Sequence, residues 1–204
     1  MSNSDAVAPL PPAAGDAPCV GAPARTIVLV GLMGAGKSSI GRRLAQRYNL
    51  PFIDADKEIE AAAGCTIEEI FERLGEQAFR DGERRVILRL LDDPPHVLAT
   101  GGGAFIDPQI RERIKQRGIS VWLHADLDLL VRRVSRRNNR PLLKQGTPRD
   151  VLAALIERRY PIYAEADIRV DSADGPPEQT VQRVADALHR FQQQRALSSA
   201  AAAP

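Results

Sequence analysis

The sequence predicts an α/β domain: a central parallel sheet of five strands flanked by helices. Three observations carry this expectation. Short aliphatic and β-branched runs alternate with longer helical patterns along the chain. Most of those runs are continuously apolar, as strands of a parallel sheet covered on both faces must be. The first run stops at a glycine-rich loop, and an amphipathic helical pattern follows at once, in "TIVLVGLMGAGKSSIGRRLA" over residues 26–45.

The five strand candidates are "TIVLV" (26–30), "PFID" (51–54), "HVLAT" (96–100), "ISVWLH" (119–124) and "DIRVD" (167–171). The helical stretches between them have recognisable starts. "TIEE" at 66–69 is a capping box, in which hydroxyl and carboxylate each satisfy an orphan backbone N–H. "DPQI" from Asp107 offers an Asp N-cap followed by Pro at the first helical position. The helical character over about 56–91 is longer than one crossover needs, which suggests a substrate-binding insertion. The stretch "VSRRNNRPLLKQGTPRD" (134–150) has many cations and little to bury, the composition of a mobile lid.

The 204-residue length suits one domain, with 44% hydrophobic and 26% charged residues able to form an ordinary core. A net charge of +2 is too small for the basic face of a nucleic-acid binder, so anions must be met by locally placed Arg and Lys. Two cysteines give no disulfide framework and no zinc spacing, which fits a reducing cytoplasm. No apolar run approaches a membrane span, and the first 24 residues lack the pattern of a secretory signal. Their Ala/Pro/Gly bias reads as a disordered extension, as does the tail over 196–204, leaving a working domain over 25–195.

"GLMGAGKS" (31–38) matches the P-loop pattern in its required place between strand and helix. Its glycines let the N–H groups of Gly34, Ala35, Gly36 and Lys37 point into one concavity, backed by the positive end of the next helix. Lys37 would reach the β- and γ-phosphates of a nucleotide triphosphate, and the Ser38 hydroxyl would ligate Mg²⁺. Ser39 follows as a further nucleotide contact.

The loop alone does not separate a kinase from a GTPase, an ATPase or a motor. In "FIDADKEIE", Asp54 and Asp56 would share a side if the strand ran on, able to hold metal through water or to accept a proton. The lesser alternative is that Asp56 caps the helix that follows. In "ATGGGAF", Gly101, Gly102 and Gly103 allow close approach to backbone, or serve a tight turn. Arg80 and Arg159 sit on helical segments where a lone cation is commonly a solvated charge, although a carboxylate clamp needs such residues.

Over about residues 27–188 the chain resembles the shikimate kinases, through "GLMGAGKSSIGRRLA", "FIDADKEIE", "IFERLGEQAFRDGE", "LATGGGA", "NNRPLL" and "ERRYPIYAEAD" in this order. The resemblance implies the nucleoside-monophosphate-kinase-like type of P-loop NTPase fold. It implies transfer of the γ-phosphoryl group of ATP, with Mg²⁺, to the 3-hydroxyl of shikimate, on the route to chorismate and the aromatic amino acids. By position, Asp56, Arg80, Gly102 and Arg159 resemble the shikimate contacts, with Gly101 and Gly103 beside them. Asp56 would orient or deprotonate the attacking hydroxyl, and Arg80 and Arg159 would clamp the carboxylate. Asp54 resembles the anchor of Mg²⁺ through water, and Arg140 the lid arginine that closes on ATP. Some members carry an Arg after the last strand against adenine; "DSADGPPEQT" offers none. The resemblance further implies a cytoplasmic monomer with small-molecule substrates, without nucleic-acid or membrane partners; the pattern alone fits a dimer as well. Rival readings are a gluconate- or nucleotide-directed kinase of the same architecture and a non-catalytic nucleotide-binding module.

Overall fold

The computed structural model describes residues 23–135 and 147–201. Five strands form within them: β1 (Thr26–Val30), β2 (Phe52–Asp54), β3 (Val97–Ala99), β4 (Gly118–His124) and β5 (Ile168–Asp171). They pair in parallel in the order β2–β3–β1–β4–β5. Each coincides with a predicted strand to within a residue or so at either end. Every residue of β1 and β3 is buried, as a central parallel strand requires. β5 instead alternates, with Ile168 and Val170 inward and Arg169 and Asp171 outward, because it is an edge strand with one covered face.

Among the described residues seven helices connect and flank the strands: α1 (Lys37–Tyr48), α2 (Ala55–Ala63), α3 (Ile67–Leu90), α4 (Pro108–Arg117), α5 (Leu127–Ser135), α6 (Pro148–Tyr163) and α7 (Pro177–Ala201). A 3₁₀ turn spans Ala104–Ile106. Both sequence-predicted caps form. Thr66 Oγ1 accepts from Glu69 N at 3.2 Å while Glu69 Oε2 accepts from Thr66 N at 2.8 Å. Asp107 Oδ1 accepts from Gln109 N and Ile110 N at 2.8 and 3.3 Å.

Two boundaries differ from the sequence expectation. The stretch over 56–91 is not one inserted unit, because α3 breaks at Gly75 (φ 80°, ψ 173°). Beyond that break Phe79, Val86, Ile87 and Leu90 join the core, and ahead of it Ala55 and Ile59 of α2 and Ile70 of α3 join it as well. At the other end α7 runs to Ala201, so the segment from Ala196 is helical that far rather than a loose tail. Alanine is the strongest helix former, and the run there simply extends the helix. Residues 1–22 and 136–146 lie outside the described residues, and with them Arg140 and most of the expected lid. The flanks of that lid are regular: Val134 is buried in α5, and Thr147 Oγ1 caps α6 by accepting from Asp150 N at 3.2 Å.

Candidate active site

The loop after β1 is shaped by close approach. A Cβ at Gly31 (φ 137°) would stand 2.8 Å from the Leu123 carbonyl oxygen of β4, so only glycine passes there. Gly36 (φ 99°) is the left-handed N-cap of α1 and brings no side-chain acceptor to the first amides of that helix. These N–H groups and the helix dipole therefore remain directed at the cavity, a setting suited to phosphate. Lys37 Nζ lies along the loop, donating to Gly31 O at 2.7 Å and Leu32 O at 3.1 Å. Ser38 Oγ donates to Asp54 Oδ2 at 2.8 Å, joining the loop to the end of β2. Ser39 Oγ accepts from Arg43 Nη1 at 3.0 Å, and Arg43 Nε donates to Glu178 at 2.8 Å, which braces α1 on α7.

A cavity of about 680 Å³ opens over this loop. Gly34, Ala35, Gly36, Lys37, Ser38 and Ser39 form its floor, and Asp54, Asp56, Gly101 and Gly102 stand at one end. Asp56 is in the first turn of α2, so its carboxylate faces the cavity from a helix start rather than from an extended strand. Asp54 is the N-cap residue of that helix without making a side-chain cap, which leaves its carboxylate to Ser38. Serine hydroxyl and carboxylate are hard oxygen donors, the set that would suit Mg²⁺. Among the described residues there is no group of three His, Cys, Asp or Glu that could bind a metal by themselves.

Gly101 and Gly103 are explained by space, not by backbone angle. None of Gly101, Gly102 and Gly103 has a positive φ. A Cβ at Gly101 would come within 2.9 Å of both Asp56 Oδ1 and Glu83 Oε1. One at Gly103 would fall 2.4 Å from Arg80 Nη1. Gly102 is approached by Arg159, whose Nη1 donates to the Gly102 carbonyl at 2.9 Å. Gly101 and Gly103 thus admit Asp56, Glu83 and Arg80, while Gly102 offers its carbonyl to Arg159. Arg80, Gly103 and Arg159 do not line the main cavity; they gather behind the loop at its Asp56 end.

Several contributors are not visible in the sequence pattern. Glu83 is buried, its Oε2 accepting from Arg80 Nη1 at 2.6 Å. Its Oε1 has no hydrogen-bond partner among the described residues. Burial pushes the Glu83 carboxyl upward, against the pull of Arg80 and with the help of Asp56. The signal available was the three-residue spacing of Arg80 and Glu83, which puts both on one helix face. Tyr163 is fully buried and donates its hydroxyl to the same Gly102 carbonyl that Arg159 uses. At the far end of the cavity, where no cation follows β5, Arg133 arrives from α5. Its Nη1 donates to Ser172 Oγ at 2.9 Å and its Nη2 to Ala173 O at 2.7 Å, beside Asp174, Gly175 and Pro177.

The chain resembles known proteins over most of its length. The family model described as Shikimate kinase matches residues 33–189. A shikimate kinase of Paramagnetospirillum magneticum is 65% identical over 164 residues, 80% of this chain and 84% of the relative. One of Caulobacter vibrioides is 60% identical over 167 residues, 82% of this chain and 84% of the relative. The solved shikimate kinase of Acinetobacter baumannii in complex with shikimate superposes with a TM-score of 0.75 at 40% identity, covering 86% of this chain and 94% of its own. A gluconokinase of Sinorhizobium meliloti, at a TM-score of 0.57 and 21% identity over 86% of this chain and 98% of its own, shares the fold alone. On the matched length and these identities, the chain belongs to the shikimate kinase family.

Proposed function

We propose that this protein transfers the γ-phosphoryl group of ATP to the 3-hydroxyl of shikimate, giving shikimate 3-phosphate and ADP. The observation that carries the reading is a phosphate-binding loop facing a glycine triplet on which one carboxylate pair and two guanidinium groups converge. Phosphoryl transfer asks for positioning and charge neutralisation more than covalent chemistry. The amides of residues 34–37 and Lys37 would hold the β- and γ-phosphates. Bound through Ser38 and, by way of water, Asp54, Mg²⁺ would supply neutralisation of phosphate charge. Asp56 would accept the hydrogen bond of the attacking hydroxyl and take its proton as the bond to phosphorus forms. Arg80 and Arg159, close behind Gly103 and Gly102, fit a carboxylate on the acceptor ring. Arg133, with Ser172 and Pro177 near it, fits the base end of the nucleotide. Arg140 keeps the role that resemblance gives it, as the lid cation over the transferring group.

The monomeric state that the family resemblance implies is part of the same proposal. The lack of a disulfide framework accords with a cytoplasmic setting.

The direct test is ADP release by the purified protein from MgATP with shikimate, gluconate, AMP or no acceptor. Turnover with shikimate alone is expected. Activity restricted to another acceptor would overturn the acceptor assignment, and ATP binding without turnover would point to a regulatory module.

Two substitutions probe the acceptor end. Arg159→Ala is expected to raise the KM for shikimate about 10- to 100-fold, the loss of one charge-assisted hydrogen-bonded contact, with the KM for ATP nearly unchanged. An unaltered shikimate KM would contradict the clamp. Gly103→Ala adds a methyl group 2.4 Å from Arg80 Nη1 and must displace that guanidinium. It should also raise the shikimate KM, and lower the melting temperature as far as the displaced guanidinium leaves the buried Glu83 carboxylate without its partner.

A further inference from the structure

The geometry points to Tyr163 as a positioning residue for the acceptor site, one that fixes Arg159 and the Gly102 peptide in a single arrangement. This inference rests on the shikimate kinase reading above. Tyr163 closes α6, four residues after Arg159, so the two side chains emerge on one face of the helix. Both donate to the carbonyl oxygen of Gly102, whose two lone pairs accept two donors. The ring is fully buried, with Phe105 of the 3₁₀ turn at 6.3 Å, Trp122 of β4 at 6.0 Å and Tyr160 at 6.2 Å between centroids. Tyr163 therefore cannot turn away, and Phe105 ties it to the turn that begins right after the glycine triplet.

The consequence for Arg159 is a loss of freedom. An arginine on a helix surface has many rotamers, and a carboxylate clamp must select one of them. Sharing an acceptor with an immobile tyrosine hydroxyl makes that selection before the acceptor arrives. Burial pushes the Tyr163 hydroxyl up to about 12, so it stays a neutral donor across the working pH range. The same carbonyl orients the Gly102 peptide plane. Tyr163 itself touches neither substrate nor transferred group in this scheme.

Tyr163→Phe removes one hydroxyl and keeps the ring in its pocket. The expected result is a rise of about three- to tenfold in the KM for shikimate, the scale of one net hydrogen bond, with the KM for ATP unchanged. A role confined to packing would lower the melting temperature without splitting the two KM values. The decisive comparison adds Tyr163→Phe to Arg159→Ala. If the hydroxyl acts through Arg159, the second substitution changes the shikimate KM by less than about twofold in that background. Equal fold-changes in both backgrounds, or an unchanged KM in the single variant, would overturn the proposal. The unsubstituted protein is the control. Its failure to phosphorylate shikimate would remove the functional reading and this inference together, whereas normal turnover with an unresponsive Tyr163→Phe removes only the inference. Should Tyr163→Phe lower the melting temperature sharply, the shikimate-induced shift in that temperature gives the same comparison, since it reads binding relative to the variant's own baseline.

Discussion

Lys37→Ala is expected to lower kcat with MgATP and shikimate by about three orders of magnitude or more, the scale on which a cation at a transferring phosphoryl group acts. The basis is local. Lys37 Nζ already lies against the loop carbonyls of Gly31 and Leu32, a few bond rotations from phosphates seated on the amides of residues 34–37. α1 itself is held by Ile40, Leu44 and Ala45 in the core, so the melting transition should scarcely move. Lys37→Arg should fail to restore turnover, because a planar fork does not occupy the space of a compact ammonium in so tight a loop. Steady-state kinetics beside a thermal melt decide the matter, and near-normal turnover in the alanine variant would refute the role.

Asp56→Asn should reduce kcat by about 10²-fold or more, within the range that general base catalysis contributes. The amide has nearly the same volume and stays on the first turn of α2, but it cannot take up the proton of the attacking hydroxyl. ATP KM should change little, since Asp56 is at the acceptor end of the cavity. Retained turnover would mean that Asp56 only orients the acceptor and that the proton leaves by another path. The neighbouring Glu83 makes the asparagine variant preferable to alanine. Two carboxylates flank Gly101, and emptying one side would let the other rearrange.

What the sequence made legible was what local chemistry determines. The five strands followed from apolar runs, the Thr66 and Asp107 caps from side chains that bond within their own turn, and the phosphate loop from glycines before a helix. Arg80 and Arg159 were ambiguous from spacing, because a helix pattern cannot tell a solvated guanidinium from one folded over a loop on another element. Their placement beside Gly103 and Gly102 is a matter of tertiary contact. The triplet suggested either a turn or an approach to ligand. Its backbone angles are ordinary, and the crowding comes from the protein's own side chains. Tyr163 and Arg133 were missed because each acts on a group far along the chain, whereas Glu83 bonds Arg80 only three positions away and its burial is what the pattern hid. Arg133 meets Ser172 across 39 positions and Tyr163 meets Gly102 across 61.

The adjacency of β3 and β1 sets a ruler inside the molecule. The acceptor loop leaves the end of β3 and the donor loop leaves the end of β1, its immediate neighbour in the sheet. Thr100 stitches the two ends together, its N and Oγ1 both donating to Leu29 O at 3.2 and 3.0 Å. At Gly102 a Cβ would already be 3.6 Å from Met33 N, so the two loops touch. Parallel strands repeat at about 4.8 Å, a spacing imposed by the peptide hydrogen bond rather than by any side chain. The gap between donor and acceptor is thereby inherited from the backbone. A lineage could redraw either loop to suit a new alcohol, and the interval a phosphoryl group must cross would stay the same.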